Sequence, residues 1–176
     1  MNKNILVFAL ITINLLFIIS CDSKSINNYE YQEINKEVRI AGKSITISGI
    51  EITNYKGMSK KVEIPMVINE KSVVSIGERA FQSKKLTDVL IPDSVIIIGQ
   101  SAFYNNGLVK IEIPESVLFI DAGAFNNNPI MTVVIENQDV QIEHSNFSGF
   151  GNLFSDMTFP GTYIRKNNGV FLMRSS

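Results

Sequence analysis

Apolar residues recur along this chain at a fixed step that neither a lone helix nor a lone strand produces. Phe81, Phe103, Phe125 and Phe147 are each 22 positions apart, as are Ile76, Ile98, Ile120 and Ile142. The same step joins Ala80, Ala102 and Ala124, then Val89, Ile111 and Val133, then Ile91, Ile113 and Ile135. A period of this length marks stacked supersecondary units, none of which buries its apolar side without a neighbour. Within a unit, Val89-Leu90-Ile91-Pro92 and Ile111-Glu112-Ile113-Pro114 alternate as short strands closed by a proline, which has no N–H to give a ladder. A second extended run follows, Ser94 to Gly99 and Ser116 to Asp121, before Ala-Phe enters a tight turn or short helical segment. The pattern predicts a repeat solenoid, mainly β, over residues 38–153. Its phenylalanine column forms an internal ladder stepping about 4.8 Å per coil.

Asn105 and Asn127, also 22 apart, lie in Tyr104-Asn105-Asn106-Gly107 and Asn126-Asn127-Asn128-Pro129. Side-chain amides there are expected to satisfy turn backbone in successive coils. After Phe147 the period lapses through Gly149, Gly151 and Asp156. Thr162 to Arg165 and Val170 to Met173, around Asn168-Gly169, then predict a β-hairpin within residues 154–176. Such a hairpin would cover the open end of the solenoid, where a free strand edge and apolar core invite aggregation.

The first 20 residues read as a signal peptide: Lys3 is followed by an apolar stretch, Ile5 to Ile19, of 15 residues broken by Thr12 and Asn14. That is short of the roughly 20 needed to span a bilayer. Ile18-Ile19-Ser20-Cys21 resembles the bacterial lipobox, which implies cleavage before Cys21, its lipidation, and a membrane anchor at which each buried methylene contributes about 0.8 kcal/mol. Residues 21–37, rich in Asn, Ser, Lys and Glu, are expected to be the lipidated cysteine and a flexible tether reaching about 55 Å when extended. Asp22 directly after the cysteine resembles an inner-membrane retention signal of some bacteria. An inward-facing envelope position therefore stays open beside display on the outer surface.

Composition narrows the chemistry. Sixteen Lys and Arg against 17 Asp and Glu leave a net charge of -1, without the basic stripe that nucleic acid requires. One His and one Cys offer little for a metal site or a disulfide. His144, in Glu143-His144-Ser145, reads as a solvated residue, and neither a nucleophile elbow nor a Gly-rich phosphate loop accompanies it. No cofactor and no catalysis are expected. With 176 residues and 45% hydrophobic content, one core is the natural outcome.

The run Ile91-Pro92-Asp93-Ser94-Val95-Ile96-Ile97-Ile98-Gly99-Gln100-Ser101-Ala102-Phe103 resembles the BspA-type (treponemal-type) leucine-rich repeat of bacterial surface proteins. The upstream segment, Lys60 to Pro65 and Ser75 to Phe81, is similar to a first repeat with extra residues around Asn69-Glu70-Lys71. Asp121 departs where that family favours Gly, and Glu136 to Glu143 lose the Pro-x-Ser-Val signature, as a degenerate terminal coil does. The resemblance implies a right-handed leucine-rich-repeat coil and a surface lipoprotein. It also implies a protein ligand, through attachment to extracellular-matrix proteins or to other cells. A monomer is expected.

Two outward strips are candidates for that ligand. On the first strand these are Lys61, Glu63, Asp88, Leu90, Lys110 and Glu112, a mixed face with opposite charges on neighbouring coils. On the second, Ile96-Ile97 and Leu118-Phe119 place more apolar side chains than one inward face accepts, so Ile97 and Phe119 are expected to form an exposed apolar strip unless a terminal segment folds over it.

Overall fold

The computed structural model describes residues 26–143 and, beyond them, two strands at residues 161–165 and 171–173; the segment expected to be a signal peptide, Cys21, His144 and Phe147 lie outside the described residues. The chain opens with a long antiparallel hairpin of β1 (Tyr29–Ile40) and β2 (Lys43–Tyr55) and then winds into coils. Each coil contributes one strand to a first layer, called the first sheet although its hydrogen bonding is interrupted between the second and third strands: β3 (Lys61–Glu63), later β6 (Asp88–Leu90), β8 (Lys110–Ile113) and β10 (Thr132–Ile135). Its second strand is β5 (Lys71–Ile76), β7 (Ile97–Ile98), β9 (Phe119–Ile120) or β11 (Gln141–Ile142). Neighbouring coils pair in parallel. Lys110 faces Thr132 in the first sheet, and Ser75, Ile97, Phe119 and Gln141 face one another in succession in the second. About four turns are formed, and the Ala-Phe segments are turns without a helix.

The first step is longer, since Lys61 pairs with Asp88 27 positions on. The additional length is β4 (Val67–Ile68), which folds back on β5 through Asn69 and Glu70, both at positive φ (49° and 64°). This two-residue turn matches the twist of a hairpin, and it accounts for the extra residues around Asn69-Glu70-Lys71.

Inside the coils, the predicted ladder is present. The rings of Phe81, Phe103 and Phe125 are fully buried and stack with centroids 5.1 and 5.2 Å apart, at interplanar angles of 18° and 4°. The column continues past the repeats: Tyr55 stacks on Phe81 at 5.4 Å, and Tyr29 meets both at 5.5 and 6.2 Å. Burial, with Tyr55 and Glu63 alongside, pushes the Tyr29 phenol far above its ordinary range. It therefore remains a donor, to the Glu63 carbonyl at 3.1 Å.

Polar ladders run beside the aromatic one. Asn106 accepts from the Lys84 and Leu86 amides and donates to the Phe81 and Phe103 carbonyls. Asn128 accepts from the Leu108 amide and donates to the Phe103 and Phe125 carbonyls. These are the amides that close the turns. Asn105 and Asn127 instead form an exposed chain to Ser83, and all three occupy a left-handed turn position at φ 56° to 59°. The serine of Pro-x-Ser-Val donates to the preceding coil, Ser94 to Val73 O at 2.7 Å and Ser116 to Val95 O at 2.8 Å. At the departure from Gly, the Asp121 amide still donates to Ile98 O, as Gly99 does to Ile76 O.

Non-repeating groups meet both edges of the first sheet. The outer edge of β3 is occupied by side chains, with Ser59 bonding both the amide and carbonyl of Lys61 and Tyr29 bonding Glu63 O. At the far edge β12 (Gly161–Arg165) pairs antiparallel with β10, and β13 (Phe171–Met173) pairs with β12, the hairpin cap expected there.

The structure differs from the expected tether. Residues 29–37 belong to β1, whose polar exposed side gives the segment a linker-like composition. Its alternation is hidden by a bulge between Glu30 and Tyr31 and by Lys36 on the apolar side. That side carries Ile34, Val38 and Ile40 with Ile45 and Ile47, whereas Asn35, Glu37, Arg39, Ser44, Thr46 and Ser48 are exposed. Ile47 is only 1% exposed, yet neither it, Ile40 nor Val74 belongs to the solenoid's interior cluster. A second, smaller core lies between the hairpin and the outer face of the second sheet. At Gly49, on the same face as Ile47, an added Cβ would come within 2.5 Å of Ser72 O and 2.9 Å of the Val74 side chain. At the tip, the Ala41 amide donates to the Gln141 side chain at 2.7 Å. From β2 to β11 is four strand spacings, roughly 19 Å, within the reach of about 27 Å for the eight residues from Ala41 to Gly49. The hairpin is thus an arm laid across the outer column Ser75, Ile97, Phe119, Gln141.

Glu51 pins the base of this arm. It accepts from Ser75 Oγ at 2.7 Å, Lys36 Nζ at 3.0 Å and Gln32 Nε2 at 2.8 Å. Burial raises its pKa, but the hydrogen bonds from Ser75, Lys36 and Gln32 and the charge of Lys36 outweigh it and hold the carboxyl below its ordinary value.

Two outcomes follow in solution. Phe103→Ala, which opens a void between two stacked rings, is expected to lower unfolding free energy by about 3–5 kcal/mol in chemical denaturation. Glu51→Gln is expected to lose about 1.5–3 kcal/mol at neutral pH. Because the folded-state pKa lies below the unfolded one, that stabilisation is complete above the unfolded value and disappears as pH falls through the folded one. Melting curves of wild type and Glu51→Gln should therefore converge in acid; a constant gap from pH 7 to pH 3 contradicts the assignment.

Candidate interaction surface

Alternation along the first-sheet strands sends Val62, Val89, Ile111 and Val133 inward and leaves the intervening side chains outside. Lys61 and Glu63 on β3, Asp88 and Leu90 on β6, and Lys110 and Glu112 on β8 are all exposed. The register sets Lys61 beside Asp88 and Glu63 beside Leu90. These four, with Val62, line a shallow groove of about 280 Å³. Lys110 and Glu112 are paired with each other within one strand. They lie across a break in hydrogen bonding, since β3 and β6 form one sheet and β8 continues in another with β10, β12 and β13. The structure thus joins four of the six predicted positions into one recess and sets the other two beside it. Among the described residues, Lys61, Glu63 and Asp88 have no ion-pair partner. Leu90, 53% exposed, supplies an apolar contact between these charges. Farther along, Thr132 and Val134 are half-buried where β12 pairs with β10.

The second strip does not present an open surface. Ile97 and Phe119 are in register on the outer face, as the repeat step requires, but both are half-buried under the arm. The extra apolar side chains of Ile96-Ile97 and Leu118-Phe119 therefore correspond to a strip that the N-terminal segment covers. Sequence reasoning passed over another column, Thr87, Val109 and Met131, which precedes the outward charges at the same 22-residue step. Val109 and Met131 are 50% and 43% exposed and joined by a backbone hydrogen bond of 2.7 Å. Met58, in the loop before β3, is 97% exposed. Among the described residues, no group of three or more His, Cys, Asp or Glu converges as metal ligands would.

The BspA type leucine rich repeat region matches residues 74–175 in six copies, more than half of the chain. Among solved structures, the chain is similar to the leucine rich repeat protein of T. pallidum (TpLRR), with 23% identity and a TM-score of 0.44. That match covers 64% of this chain and 62% of the other, so the chain spans less than two thirds of that protein. No curated protein matches the chain. The 22-residue period, the Ile-Pro-x-Ser-Val phrase and the stacked coils agree with the family match, and the chain belongs to the BspA-type leucine-rich repeat family.

Proposed function

We propose that this is a lipid-anchored envelope protein that binds a protein ligand through the outer face of its first sheet, most directly in adhesion to extracellular-matrix proteins or other cells. Leucine-rich-repeat solenoids generally bind other proteins through an extended surface. The observation that carries the choice of face is the recess at Lys61, Glu63, Asp88 and Leu90, which offers unpaired charge of both signs around one exposed apolar side chain. A protein segment bringing an apolar side chain and complementary charges fits it, and desolvated contacts at the centre of such a patch dominate affinity. The second sheet is a poorer candidate, because the arm occupies its outer column. Lipidation at Cys21 rests on the lipobox resemblance. Asp22 favours a second reading, an inward-facing lipoprotein that scaffolds another envelope protein.

Protease treatment of intact cells distinguishes the two locations: cleavage without lysis is the expected result, and full protection favours the inward-facing scaffold. Binding is measured against a panel of immobilised extracellular-matrix proteins and intact cells. Lys61→Glu combined with Leu90→Arg should weaken the strongest interaction at least tenfold while leaving the melting temperature nearly unchanged. Equal affinity in the variant removes this face as the ligand site.

A further inference from the structure

Positive charge on the solenoid is gathered at one corner. Loop 56–61, Lys56-Gly57-Met58-Ser59-Lys60-Lys61, carries three lysines around Met58, and Lys84 and Lys85 occupy the equivalent turn of the next coil. The two turns are stacked: the Thr87 amide donates to Lys60 O at 2.8 Å, and Lys61 is in register with Asp88. The acids beside them are Glu30, paired with Lys56 at 3.6 Å, and Asp88 and Glu63, which share the recess with Lys61. Corresponding corners farther along are different. Residues 105–110 hold one cation, Lys110, already paired with Glu112, and residues 127–132 hold none.

The loop is held in place by the core. An added Cβ on Gly57 would fall 2.3 Å from the Tyr55 hydroxyl oxygen, so the chain passes directly over that ring, and the hydroxyl donates to Ser59 O at 3.4 Å. Met58 is left projecting from a fixed base. The same loop adjoins the start of the fold, since the Lys56 amide donates to Asn28 O at 2.7 Å and Ile26 packs against the core. With residues 29–37 taken up in β1, Ile26 lies only five positions beyond Cys21, a reach of about 17 Å at most.

We infer that this corner is a contact for an anionic phospholipid surface, with Met58 entering the head-group layer and Lys60 and Lys85 facing lipid phosphates, while Lys61 stays with the recess beside them. The inference rests on the lipid anchoring proposed above and adds to it an orientation. A chain held at Cys21 keeps this corner within reach of the bilayer, where each cation near an anionic surface adds attraction that falls off over about one Debye length, ~8 Å at physiological salt. The later coils and the hairpin cap then point away from the membrane.

The chain contains no tryptophan, so Met58→Trp gives a single reporter. The full chain is matured in bacterial cells and reconstituted into vesicles of phosphatidylcholine with or without phosphatidylglycerol, each carrying a head-group-proximal nitroxide lipid. Emission of the Met58→Trp chain should shift to the blue and be quenched at least twofold in the anionic vesicles alone. High salt, or Lys60→Glu with Lys85→Glu, should reverse both changes. Met131→Trp, three coils away, should remain unquenched. Co-flotation of the Met58→Trp chain with vesicles, but with its emission unshifted and unquenched, overturns the membrane-facing corner and leaves the anchor standing. Failure of the wild-type chain to co-float with either vesicle, matching Cys21→Ser, overturns the anchor and this inference together.

Discussion

Stacking of like side chains in register is the constraint from which the rest of this molecule follows. A single coil has two strands of two to six residues and one large aromatic ring, and on its own it would leave most of its apolar surface in water. Placed against an identical coil, each ring meets a ring, each buried amide meets the carbonyls of two turns, and each serine hydroxyl meets the carbonyl of the coil before it. The ring spacing of 5.1 to 5.4 Å is close to the strand spacing of about 4.8 Å, so backbone ladders and side-chain ladders advance together. This agreement ties the period in sequence to the rise in space.

The same constraint leaves one end of the column and one outer face to be covered, which the chain does with non-repeating elements. Tyr55 and Tyr29 finish the aromatic column, and their hydroxyls reach carbonyls of the loop before β3 and of β3 itself. The β1–β2 arm covers an outer face that carries more apolar side chains than a solvated sheet tolerates, and Glu51 fastens it with three donors. Among the described residues, the outer face of the first sheet and the basic loop at the N-terminal corner remain open. Function is therefore sought in surfaces that the fold leaves uncovered, while its buried polar groups are occupied with closing turns.

Much of this was legible before the structure. The 22-residue step placed three of the four phenylalanines in one ladder and assigned both strands of each coil, and alternation along the first strands brought Lys61, Glu63, Asp88 and Leu90 to one face. The C-terminal hairpin was visible in its turn residues. The arm was not, because an exposed edge strand carries the charges that keep it from pairing with other chains, and those charges imitate a linker. Its apolar side is also offset by a bulge, so simple alternation fails at Tyr31. Asn106 and Asn128 repeat at the same step as their exposed neighbours, but adjacent asparagines do not announce in sequence which one turns inward. Tyr55 and Tyr29 lie 26 and 52 residues before Phe81, off the period, so only stacking in space joins them to the column.

Register between coils is most directly tested by changing the chain by one whole period. Inserting a second copy of residues 88–109 after residue 109 adds 22 residues and preserves every ladder, whereas the same insertion shortened by one residue turns each following side chain out of its column. The account predicts that the full insertion unfolds in a single cooperative transition with native-like circular dichroism and that the shortened one loses both. Equal behaviour of the two insertions, whether both folded or both collapsed, would contradict it.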